Sequence, residues 1–599
     1  MKKNGKFRIR LLLAVCTAAF ALFLVRLIWM QFVMAGHYAE KVTQAGQTRY
    51  TVTVPAARGS ITDRNGTVLA QDTAVYSLSL CVPAPPGTDL ETTLATLYQL
   101  GLGGKDVETQ LAAFCSAVSA GQMPLASSIT EEQRAALLAS GLPQSGAVVL
   151  TARGQRTWPA GSAAPHLLGA TGPMTAEQWQ NLQDSGLAMD AEIGQWGAEA
   201  AYEELLRGQD GVLTVTADRS TGARYEELTR VPQEGNTLVL SLDADLQRVV
   251  RQALLAQMET LRTTKPAGKG KEVRAAAAVV VDAATGGVLA AVSLPDYDLV
   301  QWRQNYAALA SDPGAPLVDR TLTGLYAPGS AFKPAVAAAA LAAGLITPNS
   351  TVSCTGRYLY YAGYQPRCLQ LGHSGTVDLL TALRQSCNIY FYDVGRRLGV
   401  DGFSSTAQLL GLGVPTGAEL PEAAGTLTWS EDENYQAGLT LMAAIGQGNT
   451  AVTPAQLAAY ACSLARSGSR PALHFAEKAL DSEGNCVWQW ENTELSCAPG
   501  GEAVFAPIRE GMKQMAETLR VLRESPIPLA CKTGSPQLAA RMANGTHYTN
   551  SVLIGYGPAD DAQFAAAIVL EYGGGGSNAA PVMRAIADWW NAAHPQMNG

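Results

Sequence analysis

The longest apolar stretch of the chain lies close to its N-terminus. Residues 11–35 carry one charge, on Arg26, and follow a tail that has five basic residues and no acid. A bilayer core requires about 20 helical residues, so this stretch is long enough to cross a membrane once. The positive-inside bias predicts that residues 1–10 stay in the cytoplasm and that the chain beyond residue 35 is extracytoplasmic.

A cleaved signal peptide would begin with the same basic and apolar pattern. Small residues near Ala35 could serve for cleavage, but Arg26 and Gln31 separate them from the uncharged run. We therefore favour a retained membrane anchor over residues 11–35. The alanine-rich stretch at residues 335–345 is too short to be a second span.

Two regions follow the anchor, with a boundary at the Pro-Gln-Glu-Gly sequence of residues 232–235. In residues 36–235, Asn65-Gly66 between short β-prone runs predicts a hairpin turn, and the acids and Ala-Leu repeats of residues 88–142 predict helices. In residues 236–599, apolar runs predict strands near both ends with helices between them, which defines an α+β domain. The predicted strands are 238–242, 275–281, 288–292, 552–556 and 564–571, and the predicted terminal helices are 243–261 and 581–591.

Composition removes several classes of function. The chain has 599 residues, of which 47% are hydrophobic and 16% charged, so wholesale disorder is excluded. Its formal net charge is −8 with no basic block after residue 10. Because nucleic acids are bound by clustered Lys and Arg, this distribution argues against a nucleic-acid partner. The six histidines are scattered, which suggests neither a zinc site nor a Ser-His-Asp triad, and no metal or cofactor is expected.

Ten cysteines in 599 residues are too few for a disulfide scaffold. Cys354 and Cys368 enclose a short loop rich in Gly and Tyr, and a bridge between them would stabilise the fold by about 3 kcal/mol in the loop-entropy model. Two reduced thiols are equally compatible with the sequence, since sequence alone does not fix pairing.

Three short motifs combine nucleophilic and basic side chains. Ser330 and Lys333 lie one helical turn apart after a Pro-Gly turn, and a neutral lysine at that spacing can take the proton of a serine hydroxyl. Each motif alone occurs by chance in many proteins, because capping serines and surface lysines are common. Their occurrence together and in this order is the distinctive observation. The other two motifs comprise Ser386 and Asn388, and then Lys532, Thr533, Gly534 and Ser535.

Ser-x-x-Lys, Ser-x-Asn and Lys-Thr-Gly in this order form the signature of penicillin-binding proteins and class A β-lactamases. The chain resembles a class B penicillin-binding protein, a peptidoglycan D,D-transpeptidase, over nearly its whole length. The resemblance implies a serine β-lactamase-like transpeptidase domain at residues 236–599, in which helices flank an antiparallel sheet. It also implies an elongated pedestal or dimerisation-like domain at residues 36–235. Further similar segments are 58–66, 242–247, 281–286, 445–448 and 453–457.

The resemblance assigns roles to the motif residues. Ser330 would attack the carbonyl of the penultimate D-Ala of a stem peptide, with Lys333 as general base. The backbone N–H groups of Ser330 and Ser535 would form the oxyanion hole, and β-lactams would acylate Ser330. The other implied members are Ser386 as proton relay, Lys532 as its positively charged helper, Asn388 at the substrate amide, and Thr533, Gly534 and Ser535 at the terminal carboxylate.

The sequence departs from the family pattern at three places. Cys531 stands where glycine is usual and is interpreted as a small buried strand residue. Ser535 stands where threonine is usual and keeps the hydroxyl and the N–H group. Residues 373–375 replace a Gly/His-rich run, so that loop is expected to differ. We interpret three charged residues of the pedestal motif as structural: Arg58, Asp63 and Arg64.

Residues 386–392, 394–399 and 417–421 resemble the elongation-type branch of the class, which acts in cell elongation and shape. That branch implies a partner glycosyltransferase of the SEDS family and other elongation-complex proteins, besides stem peptides, β-lactams and the membrane. The alternatives are a division- or sporulation-type transpeptidase, a non-catalytic β-lactam sensor or scaffold, and a β-lactamase. The three intact motifs argue against a non-catalytic scaffold. A sensor would need further transmembrane helices besides the predicted anchor, and the long pedestal argues against a β-lactamase.

Overall fold

The computed structural model describes residues 3–34, 47–82, 84, 87–102, 107–116, 121–143, 147–159, 164–182, 187, 191–218, 224–368 and 375–595. The chain forms two compact units, each built from three segments. The first unit contains Met1–Ala57, Ala74–Gln155 and Gly208–Glu234, and the second contains Arg58–Thr73, Arg156–Arg207 and Gly235–Gly599. These units interleave along the chain, and the linear domain boundary near residue 235 remains a prediction.

An apolar helix begins the described chain. The helix Lys3–Ile28 continues into a short π-helical turn, Trp29–Val33. The segment Leu11–Phe32 has a mean hydropathy of 2.5, and none of it is buried among the described residues. At 1.5 Å per residue this segment is about 33 Å long, which matches the apolar thickness of a bilayer. In the part of the chain that the structure describes, it is the one candidate membrane anchor, and the side of the membrane on which each end lies remains a prediction.

Besides the N-terminal apolar helix, the described part of the first unit contains two groups of paired strands and three helices. Gln47–Val54 pairs with Gly211–Asp218, which pairs with Arg224–Arg230. The second group comprises the part of Val68–Val82 that belongs to this unit, Gly121–Ile129 and Val148–Thr157. The helices are Leu90–Gln99, Val107–Ser116 and Glu131–Ala139. Their apolar faces meet the strands in a core that includes Leu78, Leu80, Leu94, Leu97 and Leu137.

The prediction of helices throughout residues 88–142 is wrong for one segment. Gly121–Ile129 is a strand that pairs antiparallel with Tyr76–Val82. Pro124 lacks the N–H that a helix interior needs, and the partner strand turns Leu78 and Leu80 into the same core. Local composition favoured a helix, whereas pairing with a strand 40 residues earlier decided the outcome.

The predicted Asn-Gly hairpin of the second unit is confirmed. Ile61–Thr62 pairs antiparallel with the start of Val68–Val82, and the Gly66 N–H donates to the Asp63 carbonyl at 3.1 Å. Gly66 has φ +88°, a left-handed conformation that glycine adopts without steric cost. Asp63 then accepts a hydrogen bond from the backbone N–H of Ala244 at 3.1 Å, which ties this hairpin to the start of the helix Ala244–Thr264.

The centre of the second unit is a five-stranded antiparallel sheet. Its order is Val288–Leu294, Ala275–Asp282, Phe564–Glu571, Ser551–Gly557 and Ala530–Gly534. One face packs against the helices Ala244–Thr264 and Ala580–Ala593, and the other against the helix Pro454–Ala465. The predicted α+β fold, with an antiparallel sheet flanked by helices, is confirmed. The structure adds that Ala275–Asp282 pairs directly with the last strand, Phe564–Glu571.

Shorter elements complete the second unit. Its other strands are Thr171–Pro173, Glu192–Gly194, Thr237–Leu240, Val352–Cys354, Gly375–Val377, Ser469–Pro471, Ala476–Leu480, Cys486–Gln489, Glu494–Cys497, Gln537–Arg541 and His547–Thr549. Its other helices are Pro165–Leu168, Ala176–Leu182, Gly197–Ala201, Glu203–Leu206, Trp302–Ser311, Lys333–Ala342, Leu379–Arg384, Asn388–Leu398, Val400–Leu409, Ala437–Ala443, Gly501–Thr518 and Arg520–Arg523, with 3-10 turns at Gly329–Phe332 and Gly576–Ala579.

The helix Lys333–Ala342 is buried from Lys333 to Ala340, and five of those eight residues are alanine. Alanine favours the helix and adds only a methyl group to its surface. The helix therefore lies close to its neighbours Asn388–Leu398, Val400–Leu409 and Gly501–Thr518. It is a tightly packed base for the residues at its N-terminal end.

A buried cluster of charges joins two of the three segments of the second unit, Arg58–Thr73 and Arg156–Arg207. The Glu199 carboxylate is fully buried and accepts N–H groups from both Arg58 Nε and Arg156 Nε, each at 2.6 Å. Arg58 also pairs with Glu203 at 2.7 Å, and Arg156 pairs with Asp72 at 3.3 Å. Burial alone would lower the pKa of Arg58, but the charges of Glu199 and Glu203 raise it above its ordinary value.

We expect Glu199→Ala to lower the free energy of unfolding by about 3–5 kcal/mol, because it leaves two buried guanidinium groups short of a counter-charge. The matched control is Glu204→Ala, since Glu204 is exposed on the neighbouring turn and should change stability by less than about 0.5 kcal/mol. Denaturant unfolding of the two variants measures the difference. Equal losses in both would contradict a structural role for the cluster.

Candidate active site

Ser330 lies in the 3-10 turn Gly329–Phe332, and the α-helix proper begins at Lys333. The sequence placed both residues on one helical turn; the tighter 3-10 turn brings residues three apart onto one side even more directly. Gly329 has φ +57°, and its N–H donates to the Gly446 carbonyl at 2.8 Å. A side chain at Gly446 would begin 2.2 Å from the Gly329 carbonyl oxygen, so both glycines are required where these two segments meet.

Lys333 is completely buried beside the second motif. Its Nζ lies 2.7 Å from Asn388 Oδ1, 2.8 Å from the Ser386 carbonyl oxygen and 3.2 Å from Ser386 Oγ. Burial, and secondarily the charge of Lys532, hold the pKa of Lys333 well below its ordinary value. Because desolvation disfavours the ammonium form, this lysine loses its proton more readily than an exposed one and can offer a lone pair to a neighbouring hydroxyl.

Ser386 lies between two lysines. Its Oγ is 2.9 Å from Lys532 Nζ and 3.2 Å from Lys333 Nζ, so one hydroxyl connects the two amines. The residue has φ +55°, a left-handed conformation that is uncommon for serine. It follows the helix Leu379–Arg384 and precedes the helix Asn388–Leu398, and this bend between them brings the hydroxyl to the lysines.

The third motif occupies the edge strand Ala530–Gly534 of the central sheet. Lys532 is completely buried, and burial lowers its pKa to about 7. A side chain at Gly534 would begin 2.2 Å from the Pro328 carbonyl oxygen, so glycine lets the strand approach the turn that carries Ser330. Ser535 Oγ accepts the N–H of Gly576 at 2.8 Å, which joins the glycine run of residues 573–576 to this motif.

A cavity of about 330 Å³ opens onto these motifs. Its lining includes five of the residues that the sequence predicts for the site: Ser330, Ser386, Asn388, Thr533 and Ser535. Lys333 and Lys532 lie buried directly behind that lining, in contact with Ser386. Three motifs that lie between residues 330 and 535 of the sequence thus converge on one cavity, which combines three serine hydroxyls, a threonine hydroxyl and an amide with two amines behind them.

Sequence reasoning missed the other residues that line this cavity. Five come from loops, where no periodic pattern points inward: Tyr364, Pro366, Arg367, Ile445 and Gln447. The other three belong to two helices and a strand: Tyr392, Met442 and Gln537. A partial signal existed for Gln447, which belongs to the Ile-Gly-Gln-Gly segment of residues 445–448, and for Tyr364 and Arg367, which lie in the Gly- and Tyr-rich stretch between two cysteines.

Three buried thiols lie behind the second motif. The Sγ atoms of Cys354, Cys368 and Cys387 are all within 4.8 Å of one another. Among the described residues, none of the three forms a disulfide bond, so the structure has reduced thiols where the sequence left a Cys354–Cys368 bridge open. Three thiolates at this separation are a donor set suited to a soft cation such as Zn²⁺. Nothing in the sequence indicates that Cys387 joins the pair. His373 and Ser374, in the loop that is expected to differ from the family, lie outside the described residues.

Cys531 is completely buried within the strand Ala530–Gly534. Burial raises the pKa of its thiol to about 12. A thiol with that pKa stays protonated and is a weak nucleophile at neutral pH. This position agrees with the interpretation of Cys531 as a small buried strand residue.

Comparison with known proteins places this fold and site in one family. Residues 276–588 match the penicillin binding protein transpeptidase domain, and residues 53–240 match the penicillin-binding protein dimerisation domain. A transpeptidase domain that follows a dimerisation domain defines a class B penicillin-binding protein. The chain belongs to the penicillin-binding protein transpeptidase family, and the predicted fold and class are confirmed.

Individual relatives agree with that assignment. The chain is 28% identical to the peptidoglycan D,D-transpeptidase MrdA of Escherichia coli (strain K12), over 92% of this chain and 89% of that protein. A chain from a peptidoglycan synthase complex that coordinates polymerization and crosslinking is 29% identical with a TM-score of 0.74, and 98% of each chain is covered. PBP2 of Pseudomonas aeruginosa in complex with WCK 5153 is 26% identical with a TM-score of 0.64, covering 90% of this chain and 96% of that one.

Proposed function

We propose that this chain cross-links peptidoglycan stem peptides by D,D-transpeptidation through an acyl-enzyme on Ser330. The observation that carries the proposal is the buried hydrogen-bonded set of Lys333, Ser386 and Lys532 next to a serine that faces the cavity. A serine hydroxyl becomes a nucleophile when a neighbouring base removes its proton, and a desolvated lysine is such a base. Similarity to the D,D-transpeptidase MrdA supports the substrate class.

In the first half-reaction, Lys333 takes the hydroxyl proton as Ser330 Oγ bonds to the carbonyl carbon of the penultimate D-Ala. The resulting oxyanion accepts hydrogen bonds from the backbone N–H groups of Ser330 and Ser535. The C–N bond to the terminal D-Ala then breaks, and Ser386 passes a proton to the departing amine while Lys532 supplies positive charge beside it. Free D-Ala and an ester on Ser330 are the products.

In the second half-reaction, the amine of another stem peptide attacks the ester carbonyl. That amine loses a proton to the same Ser386–Lys333 relay, and Ser330 Oγ leaves with a proton restored to it. Asn388 holds the substrate amide on one side of the cavity, and Thr533 and Ser535 hold the terminal carboxylate on the other. Attack by water in place of the amine would give D,D-carboxypeptidation as a side activity. A β-lactam, whose carboxylate and strained amide mimic D-Ala-D-Ala, would stop at the ester.

Mass mapping tests the assignment of the nucleophile. The full-length chain in detergent is labelled with fluorescent penicillin and digested, and the labelled peptide is sequenced by mass spectrometry. We expect one adduct, on the peptide that contains Ser330. An adduct on Ser386 or Ser535 instead would reject the proposed nucleophile, and no adduct in a folded chain would reject the proposed activity.

The pH profile of acylation should depend on Lys532. The charge of Lys532 is a secondary cause of the low pKa of Lys333, so Lys532→Met is expected to raise that pKa. Since only neutral Lys333 accepts the proton of Ser330, the acid limb of the labelling rate would move to higher pH. Labelling rates measured between about pH 5 and pH 9 check this. Lys478→Met, at an exposed position, is the control, and an unmoved acid limb in Lys532→Met would contradict the coupling.

We further propose that the chain acts in cell elongation, is anchored by Leu11–Phe32 with residues 1–10 in the cytoplasm, and works with a SEDS-family glycosyltransferase. The elongation-type segments at residues 386–392 and 394–399 support the branch. Likeness to a chain from a peptidoglycan synthase complex supports a polymerase partner, and the basic tail supports the orientation.

Depletion of the protein in its source cell tests the proposed role in elongation. It should give round cells, whereas filaments would indicate a role in division instead. Protease protection of an N-terminal tag in spheroplasts tests the orientation.

A further inference from the structure

One wall of the active-site cavity is a tyrosine-rich loop, which we define as residues 355–368. It brings Tyr364 and Arg367 to the lining of the cavity that contains Ser330. The two sides of the loop are paired by a β-bridge between Arg357 and Arg367. The loop is therefore an ordered hairpin-like wall and not an open segment.

Hydrogen bonds also attach the loop to the neighbouring helix Asn388–Leu398. The Tyr358 hydroxyl contacts Asp393 Oδ1 at 3.1 Å and accepts an N–H from Arg396 at 2.7 Å, which fixes the loop to the helix Asn388–Leu398. The Asn388 side-chain amide donates to the Arg367 carbonyl oxygen at 3.4 Å. Arg367 is thus positioned directly beside the residue that we assign to the substrate amide.

The side chain of Arg367 is exposed, and among the described residues its guanidinium has no acidic partner. Arg367 is the one charged residue among the described residues that line the cavity. By contrast, Arg396 and Arg397 on the adjacent helix both pair with Asp393, at 3.3 Å and 3.5 Å. The segment that follows the loop, residues 369–374, contains no acid in its sequence. A guanidinium on a cavity wall without an acid partner is free to pair with an anionic group of a ligand.

A second cavity of about 500 Å³ continues from the first and shares Tyr364 and Met442 with it. The rest of its described lining is uncharged: Tyr361, Gly363, Asn434, Gln436, Gly438 and Leu439. The combined space exceeds what a D-Ala-D-Ala terminus fills. It can accommodate the residues that precede this terminus in a stem peptide.

We propose that Arg367 binds a carboxylate carried by the donor stem peptide on the residue that directly precedes D-Ala-D-Ala. This inference rests on the proposed function. The scissile carbonyl is placed at Ser330 and the terminal carboxylate at Thr533 and Ser535. The amide that joins the third residue to the penultimate D-Ala is placed at Asn388. The third residue therefore lies on the Asn388 side of the cavity, where Arg367 is. Arg367 would thereby make the enzyme selective for donors with a free carboxylate at that residue over donors in which it is amidated.

The test compares two synthetic acyl-pentapeptides that end in D-Ala-D-Ala and differ only in whether the side-chain carboxylate of the third residue is free or amidated. Each peptide competes with fluorescent penicillin for the full-length chain in detergent, and D-Ala release is measured in parallel. We expect the wild type to favour the free carboxylate by roughly 10-fold or more, the gain typical of one charge-assisted pair. Arg367→Gln should abolish the preference. Arg357→Gln, across the β-bridge and off the cavity lining, should keep it.

Labelling by penicillin tests the proposed function separately from this inference. Penicillin acylates Ser330 but has no group that corresponds to the third residue of the stem peptide. In each variant, competition by the two peptides is therefore compared with the penicillin labelling rate of that same variant, and the off-cavity control Arg357→Gln should label at the wild-type rate. Equal competition by the two peptides in the wild type overturns the inference, as does a preference that survives in Arg367→Gln. Absence of labelling in the wild type would reject the proposed function itself.

Discussion

A full-length chain that carries Ser330→Ala is expected to show no covalent labelling by fluorescent penicillin, a fall in acylation rate of at least about 1,000-fold. The substitution removes the one hydroxyl that both faces the cavity and begins the helix of Lys333. It leaves the backbone intact, since alanine adopts the same 3-10 turn. Reversible binding of penicillin should persist, because the groups that hold its carboxylate are unchanged.

Ser405→Ala is the matched control for this expectation. Ser405 is exposed on the helix Val400–Leu409, where its hydroxyl only donates to the Asp401 carbonyl oxygen. This variant should be labelled at the wild-type rate. Stable labelling of Ser330→Ala at a rate near that of the control would show that another residue is the nucleophile, and the mechanism given above would have to be abandoned.

Lys333→Met should reduce the acylation rate by about 10²–10⁴-fold, the range that a positioned general base contributes. Methionine has a similar length and no amine, so the cavity keeps its shape while Ser330 loses its proton acceptor. The substitution also leaves Asn388 Oδ1 and the Ser386 carbonyl oxygen without the donor they now share, and we expect a loss of stability of about 1–3 kcal/mol per unsatisfied group.

Two measurements separate the role of Lys333 as a base from its role in packing. Thermal unfolding reports the stability loss. The pH dependence of residual labelling reports the chemistry: the acid limb that belongs to Lys333 should vanish in Lys333→Met. A folded variant that keeps this acid limb, or that labels at the wild-type rate, would show that another group accepts the proton.

The elements that sequence predicted well are those decided by local pattern. The strands at residues 275–281 and 564–571 are apolar runs of mainly Ala, Val and Ile, and they are inner strands of the sheet. The strand Gly121–Ile129 was missed because its identity depends on pairing with Tyr76–Val82, which no local window contains. Three motifs could be assembled into one site only because their order resembles a family; periodicity alone does not bring them together.

The remaining features of the site depend on tertiary geometry. Arg367 and Tyr364 reach the cavity through an irregular loop, and no spacing rule predicts where such a loop directs its side chains. Cys387 joins Cys354 and Cys368 only because the bend after Leu379–Arg384 turns it inward. The depressed pKa of Lys333 follows from complete burial beside a second lysine, and burial of that degree cannot be read from the residue type.

The alanine-rich helix Lys333–Ala342 limits how this protein could evolve resistance to β-lactams. Its buried methyl groups leave no room for larger side chains under the nucleophile, since overpacking costs about 1–3 kcal/mol per site. Selection by a drug would therefore act on the rim of the cavity, where Tyr364, Met442, Gln447 and Gln537 can change without repacking the core. Resistant descendants should carry their substitutions at such positions of the rim and keep the helix Lys333–Ala342 unchanged.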